Sequence, residues 1–124
     1  MDKKQLEEGL EAALQFEKRG GLLPVVVQDY QSREVLMVAY ANQQAVDETG
    51  RTGYATFWKT SENRMWTKGE TSGDLLRVKE ILTDCDQDAL VYKVESLGDA
   101  ICHTKRSTCF YRRVSGAKLE YLKK

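Results

Sequence analysis

Asp84, Asp86 and Asp88 alternate with Cys85 and Gln87, and Cys102, His103 and Cys109 follow, all within twenty-six positions. This interval holds every cysteine of the chain and its only histidine. Carboxylate oxygens are hard donors that suit Mg²⁺ or Ca²⁺, whereas thiolate and imidazole suit Zn²⁺. Two ligand sets so close together point to a metalloenzyme. The competing reading of the acids is a solvated turn, and that of the cysteines is small buried hydrophobes. Cys85 between two carboxylates and Cys102 beside a histidine fit the second poorly.

In an extended segment the three acids face one side while Cys85 and Gln87 face the other. Three adjacent carboxylates repel one another unless a cation neutralises them. A Ca²⁺-binding helix-loop-helix also places acids at positions one, three and five, with glutamate at twelve, and Glu95 falls at twelve from Asp84. Position six, however, is Ala89 where the loop's sharp turn needs glycine, and Leu90 to Lys93 reads as a strand. That match fails.

Six residues separate Cys102 from Cys109, enough for a loop that returns both sulfurs to one point. With Cys85 there are three thiolates, and a fourth zinc position stays open for water, as a catalytic site requires. Such water has its pKa lowered to about 7. His103 is a ligand, a general base or a group hydrogen-bonded behind the ligands; spacing leaves all three open. A closed Cys₃His centre would instead be structural, and the chain would be a non-catalytic, zinc-stabilised partner-binding domain. The His-x-Glu and Pro-Cys-x-x-Cys elements of zinc nucleobase deaminases are absent.

Trp66-Thr67-Lys68-Gly69-Glu70-Thr71-Ser72-Gly73 gathers two glycines, hydroxyls and a lysine, groups that suit a phosphate. It is not a Walker loop, whose glycine comes first and whose Gly-Lys-Ser/Thr comes last. A plain hairpin turn explains it equally well. Phe57, Trp58 and Trp66 can stack on a base or fill a core. Arg64, Lys68, Lys105 and Arg106 serve a second phosphate or only solvate the surface.

The elements that must carry these groups are short. Residues 2–18 read as an amphipathic helix, with Leu6, Leu10, Ala13 and Leu14 at helical spacing and Gly20-Gly21 as its stop. Leu22–Gln28, Val35–Tyr40, Tyr54–Lys59, Arg64–Lys68, Leu75–Asp84, Ala89–Ser96 and Phe110–Arg112 read as strands. Leu90, Tyr92 and Val94 alternate with Val91, Lys93 and Glu95, the period of a half-buried strand. Asn42 is the N-cap of a short helix ending at Gly50 or Gly53. Lys118–Lys124 reads as a helical turn or a frayed tail. The expectation is one α+β, mainly β domain over 1–124, with a helical segment at about 2–19 and a metal-binding core at about 22–113.

Composition narrows the partners. Lys plus Arg and Asp plus Glu are both 19 in 124 residues, so the formal charge is zero. That balance argues against nucleic acid and anionic membranes. No apolar run approaches the roughly 20 residues of a membrane span. Met1-Asp2-Lys3-Lys4 leads into a Glu-rich stretch and not into a signal peptide. A cytoplasmic chain that keeps its thiols reduced is the expectation.

With these segments in hand the chain resembles the phosphoribosyl-AMP cyclohydrolases of histidine biosynthesis. The likeness runs from about Pro24 to Arg113 and rests on four motifs in order: Phe57-Trp58, Arg64 through Gly73, Asp84–Asp88, and Cys102-His103-Thr104 with Cys109-Phe110-Tyr111. It implies hydrolytic opening of the adenine ring of phosphoribosyl-AMP between N1 and C6. It implies Mg²⁺ on Asp84, Asp86 and Asp88, and Zn²⁺ on Cys102 and Cys109 with Cys85 of the other chain. On our reading His103 then carries a proton as the ring opens, and Arg64, Trp66, Lys68, Gly69, Thr71, Ser72 and Gly73 contact the substrate, with the Lys68–Gly73 loop on a phosphate. The implied fold is a bent, barrel-like sheet with peripheral helices in an interlocked homodimer.

This chain departs from that pattern at Lys59-Thr60-Ser61-Glu62, where a Ser-Arg-Ser-Arg type of run is usual. Gln87 and Lys105 stand where glycine is common. The chain also stops soon after Arg113, which leads us to expect a monofunctional protein without the pyrophosphohydrolase domain often fused to this enzyme.

Overall fold

The computed structural model describes residues 1–122. Its centre is a four-stranded sheet in the order β2-β1-β6-β5, formed by β1 (Leu23–Asp29), β2 (Val35–Ala41), β5 (Leu76–Thr83) and β6 (Leu90–Ser96). The predicted strands over Leu22–Gln28, Val35–Tyr40, Leu75–Asp84 and Ala89–Ser96 are all present within a residue or so. Two hairpins accompany the sheet: β3 (Thr56–Lys59) with β4 (Arg64–Thr67), and β7 (Arg112–Ser115) with β8 (Lys118–Tyr121). Among the described residues these strands do not close into a barrel, so the barrel-like part of the expectation gives way to an open sheet with two satellites.

Alternation decides which face is covered. Leu23, Val25 and Val27 of β1 and Leu90, Tyr92 and Val94 of β6 are almost completely buried on one face. The two strands run parallel, Val25 opposite Leu90 and Val27 opposite Tyr92. A parallel pair needs a crossover, and α2 (Gln43–Thr52) with the β3–β4 hairpin lies within it. Asn42 caps α2 by accepting from the Ala45 N–H at 2.8 Å, and Gly53 at φ 82° ends it. The buried Thr49 hydroxyl donates to Ala45 O at 2.8 Å and accepts from Thr56 N–H at 3.0 Å, which locks α2 onto β3. Phe57 of β3 then lies between Tyr92, 5.6 Å away, and Trp66, 5.8 Å away. One aromatic stack therefore runs from the sheet to the strand that leads into the glycine-rich loop.

The chain ends differ from expectation. The N-terminal helix is only α1 (Lys3–Glu8), opened by a capping box of Asp2 and Gln5. Residues 9–16 lack helix, Leu10 is fully exposed, and a 3₁₀ turn at Glu17–Arg19 precedes Gly20 and Gly21 at φ 72° and 98°. The reason is Gln87. Its Oε1 accepts from Ala13 N–H at 2.7 Å, its Nε2 donates to Leu6 O at 3.0 Å and Glu11 O at 3.3 Å, and its main-chain O accepts from Gln15 N–H at 2.8 Å. Backbone groups that a helix would pair internally are paired instead to a distant side chain. At the other end, the strand expected at Phe110–Arg112 begins at Arg112. Lys118–Tyr121, expected as helix or tail, forms its antiparallel partner, while the expectation for residues 123–124 lies outside the described residues.

Candidate metal centre

Asp84–Asp88 is the turn that joins β5 to β6, and not the strand that simple alternation assumed. The turn still brings the acids together: ligand atoms of Asp84, Asp86 and Asp88 lie within 4.8 Å of one another. Asp84 Oδ1 accepts the N–H of Asp88 at 2.9 Å and of Ala89 at 3.1 Å, closing the turn. Gln87 completes it at φ 55°, a left-handed conformation that favours glycine. Its side chain is the tether to the N-terminal arm, which accounts for a non-glycine here.

The acids are already partly neutralised. Lys18 Nζ lies 2.8 Å from Asp88 Oδ2 and 3.3 Å from Asp86 Oδ2, and Arg19 Nη2 lies 2.9 Å from Asp88 Oδ2. Buried Asp88 is accordingly held well below the usual carboxylate range, by Lys18 first. Asp84 is held above it. Asp84 is exposed as a residue, but the burial of its inward-turned carboxyl is the leading cause, and the neighbouring acids add to it. An ammonium resting against two of three converging carboxylates is what a cation site looks like when a side chain stands in for the ion, so hard-donor chemistry fits Mg²⁺ here.

The loop after β6 carries the soft donors. Cys109 N–H donates to Leu36 O of β2 at 2.7 Å, and the Thr108 hydroxyl donates to Val35 O at 2.8 Å. At the other end Cys102 is buried and His103 is exposed, with His103 Nδ1 3.9 Å from Cys102 Sγ. The Cys102 thiol is shifted down, first by Thr104, and then by Cys109 and Lys68 against burial. The buried Thr104 hydroxyl leans on the Cys102 thiol and finds no other partner among the described residues. Cys109 is exposed as a residue, yet its thiol is pushed up to about 11 by burial and by the adjacent Cys102. Two thiols that share their protons unequally, beside a buried hydroxyl, suit a thiophilic cation that would deprotonate both.

Cys85 does not join them. It is exposed on the acidic turn, and all three cysteines are free. Among the described residues, the acids are the group that brings three ligand-type atoms within 4.8 Å. Zinc on Cys102 and Cys109 would therefore still need a donor from elsewhere.

Of the expected substrate contacts, Lys68 is the one that acts on the thiols, lowering both. Trp66 is half-buried, flanked by Lys59 Nζ at 5.8 Å and Lys68 Nζ at 5.7 Å. Arg64 is engaged by Glu62 at 3.2 Å and Glu70 at 3.3 Å. Hydrogen bonds from Glu70 N–H to Thr67 O, Gly73 N–H to Gly69 O and Asp74 N–H to Ser72 Oγ order the Gly69–Gly73 loop, on which Thr71 and Ser72 are exposed. Gly69 is required at φ 83°, because a Cβ there would lie 2.3 Å from the Asp74 backbone. Spacing gave no sign of the Gln87 clasp or of Lys18 and Arg19 at the acids. The nearest signal was the pair of adjacent cations at the end of the N-terminal segment.

Comparison with known proteins yields a family. The family profile described as phosphoribosyl-AMP cyclohydrolase matches residues 37–111. A phosphoribosyl-AMP cyclohydrolase of Desulfatibacillum aliphaticivorans is 50% identical over 106 residues, covering 86% of this chain and 85% of that protein. One from Archaeoglobus fulgidus is 53% identical over 103 residues, covering 83% and 94%. The histidine biosynthesis bifunctional protein HisIE of Aquifex aeolicus is 49% identical over 100 residues, covering 81% of this chain but 49% of the longer protein.

Proposed function

The chain belongs to the phosphoribosyl-AMP cyclohydrolase family, and we propose that it hydrolyses the adenine ring of phosphoribosyl-AMP between N1 and C6 in histidine biosynthesis. The observation that carries the reading is the Cys102–Cys109 pair with Lys68 beside it, opposite in chemistry to the acidic turn on the same chain. The relatives bear the names of catalysts, and that separates this reading from a non-catalytic zinc module.

Substitution at N1 leaves the substrate's ring cationic, so C6 is electrophilic before any group acts on it. Zinc held by Cys102, Cys109 and Cys85 of the partner chain would supply an activated water at neutral pH. His103, exposed beside Cys102, carries a proton to the ring as the N1–C6 bond opens. Lys68 and the exposed Thr71 and Ser72 hold a substrate phosphate. The half-buried Trp66 stacks on the base. Arg64 supports that loop through Glu70 and reaches a phosphate only by releasing it. Asp84, Asp86 and Asp88 would hold Mg²⁺, which would supply positive charge toward a phosphate or the attacking water.

A homodimer is part of the proposal. Val35, Val38 and Tyr40 of edge strand β2 and Ile81 and Leu82 of edge strand β5 leave apolar surface exposed in a single chain. No helix among the described residues is long and apolar enough to cross a membrane, and we place the reaction in the cytoplasm, where free thiols persist.

Incubating the zinc-loaded protein with phosphoribosyl-AMP should change the ultraviolet absorbance as the ring opens, and chelation should stop it. Absence of turnover at full zinc occupancy would overturn the proposal. The two metals should also separate by mutation. Asp86→Asn should weaken Mg²⁺ binding about tenfold or more and leave zinc content unchanged. Lys18→Gln should act in the opposite direction, tightening Mg²⁺ up to about fivefold, because the ion no longer displaces the half-exposed Lys18 ammonium from Asp86 and Asp88. Calorimetric Mg²⁺ titration with zinc analysis reads both, and zinc lost with the Asp86 carboxylate would refute separate sites.

A further inference from the structure

The β7–β8 hairpin poses a problem of purpose. It lies beyond residues 37–111, its strands pair only with each other, and both are exposed along their whole length. An isolated two-stranded hairpin is marginal in water, so something must dock it. Among the described residues Arg106 touches both of its ends, while Arg112 of β7 lies 5.3 Å over Tyr111 from within the hairpin. The Arg106 guanidinium carbon lies 4.1 Å from the centroid of Tyr111 and 5.5 Å from that of Tyr121, and the two rings are near-parallel, 12° apart in plane with centroids 6.3 Å apart. Leu122 N–H donates to Tyr111 O at 3.0 Å, which holds the end of β8 to the residue preceding β7.

The backbone of the same residue shapes the thiol loop. Arg106 O accepts the N–H of Ile101 at 2.9 Å and of Cys102 at 3.0 Å, and Lys105 N–H donates to Cys102 O at 2.9 Å. Lys105 sits at φ 68° to make this turn, a strained choice for a non-glycine residue. Cys109 is pinned independently to β2 through Leu36 O. The separation of the two sulfurs thus depends on where Arg106 is held, and its side chain is held by Tyr111, just before β7, and Tyr121, at the end of β8.

We propose that Arg106 is a positioning residue, clamped by Tyr111 and Tyr121, which sets the approach of Cys102 to Cys109 and so the zinc affinity of the centre. A planar guanidinium against aromatic faces restricts orientation in a way an ammonium does not. The clamp rests on the reading of the thiol pair as a zinc site. The loop's own order is measurable without metal.

The test compares Tyr121→Ala, Tyr121→Phe and Arg106→Lys in the full chain, by amide exchange of Ile101 and Cys102 without metal and by zinc competition against a chromophoric chelator. Tyr121→Ala should speed exchange at both amides and weaken zinc about tenfold. Tyr121→Phe keeps the ring face and should match wild type. Arg106→Lys should fall between. A hairpin that merely adds stability would lower the melting temperature and leave zinc affinity of the folded chain unchanged. Should Tyr121→Ala not fold, Arg106→Lys decides. Wild-type exchange and zinc affinity in a folded Tyr121→Ala or Arg106→Lys chain would overturn the clamp. A wild-type chain that binds no zinc would instead remove the metal reading, and the exchange rates would still judge the clamp.

Discussion

Cys102→Ala and Cys109→Ala are each expected to give a folded chain that holds little zinc and turns over no phosphoribosyl-AMP above background. The anchors of this loop are backbone groups: Cys109 N–H on Leu36 O, and Cys102 N–H on Arg106 O. Both survive removal of a sulfur. Cys102 is buried but small, and Cys109 is exposed, so the lost packing is slight. The metal loses far more. Removing one thiolate of three should cost zinc affinity well beyond the roughly 10–100-fold seen when only a supporting group is removed. Circular dichroism, zinc content and the absorbance assay together check it. Normal turnover with full zinc in either variant would show that the pair is not the metal centre. His103→Ala separates the roles: zinc should stay and the rate should fall by about a hundredfold or more, as loss of a proton carrier predicts.

Much of the framework was legible because it depends on local pattern. Leu90, Tyr92 and Val94 alternate in the sequence and are the buried face of β6. Asn42 was recognisable as a cap because its short side chain can accept from the first turn, and it does. The acids converge as their spacing implied, although by a turn and not along a strand. What was hidden depends on distant partners. The spacing of Leu6, Leu10, Ala13 and Leu14 is sound for a helix, and Leu14 does pack on the core, but Gln87 takes over backbone groups of residues 6–15 that a helix would pair internally. The parallel register of β1 with β6 depends on the crossover and has no local signal. The β7–β8 hairpin did have one: Ser115-Gly116, a turn dipeptide, with Gly116 at φ 62°. Leu119 and Tyr121 alternate with Lys118 and Glu120, but Arg112, Arg113 and Ser115 leave the facing strand a single apolar residue, so the sequence does not mark a half-buried pair.

Cys85→Ala and Cys109→Ala chains, each inactive alone, are expected to regain activity when mixed and allowed to exchange subunits. Cys85 is exposed on the β5–β6 turn, and Cys102 and Cys109 sit together on a different loop fixed to β2. One chain therefore offers two thiols at one place and a third at another. If the third thiol comes from a partner, a two-fold assembly builds two equivalent centres, each with Cys85 from one chain and the pair from the other. In a mixed dimer, one centre then has its full set of sulfurs and the other carries both lesions. With independent centres the mixed dimer recovers at most about half of wild-type activity, with zinc in one site of two. The metal should also contribute to assembly, since ligands on two chains make zinc binding and association one linked equilibrium. Chelation should then shift the sedimentation equilibrium toward monomer, to an extent that depends on the exposed apolar surface of β2 and β5. Mixed dimers that regain neither activity nor zinc, or a monomer that is fully active, would mean that each chain completes its own centre and that Cys85 serves something else.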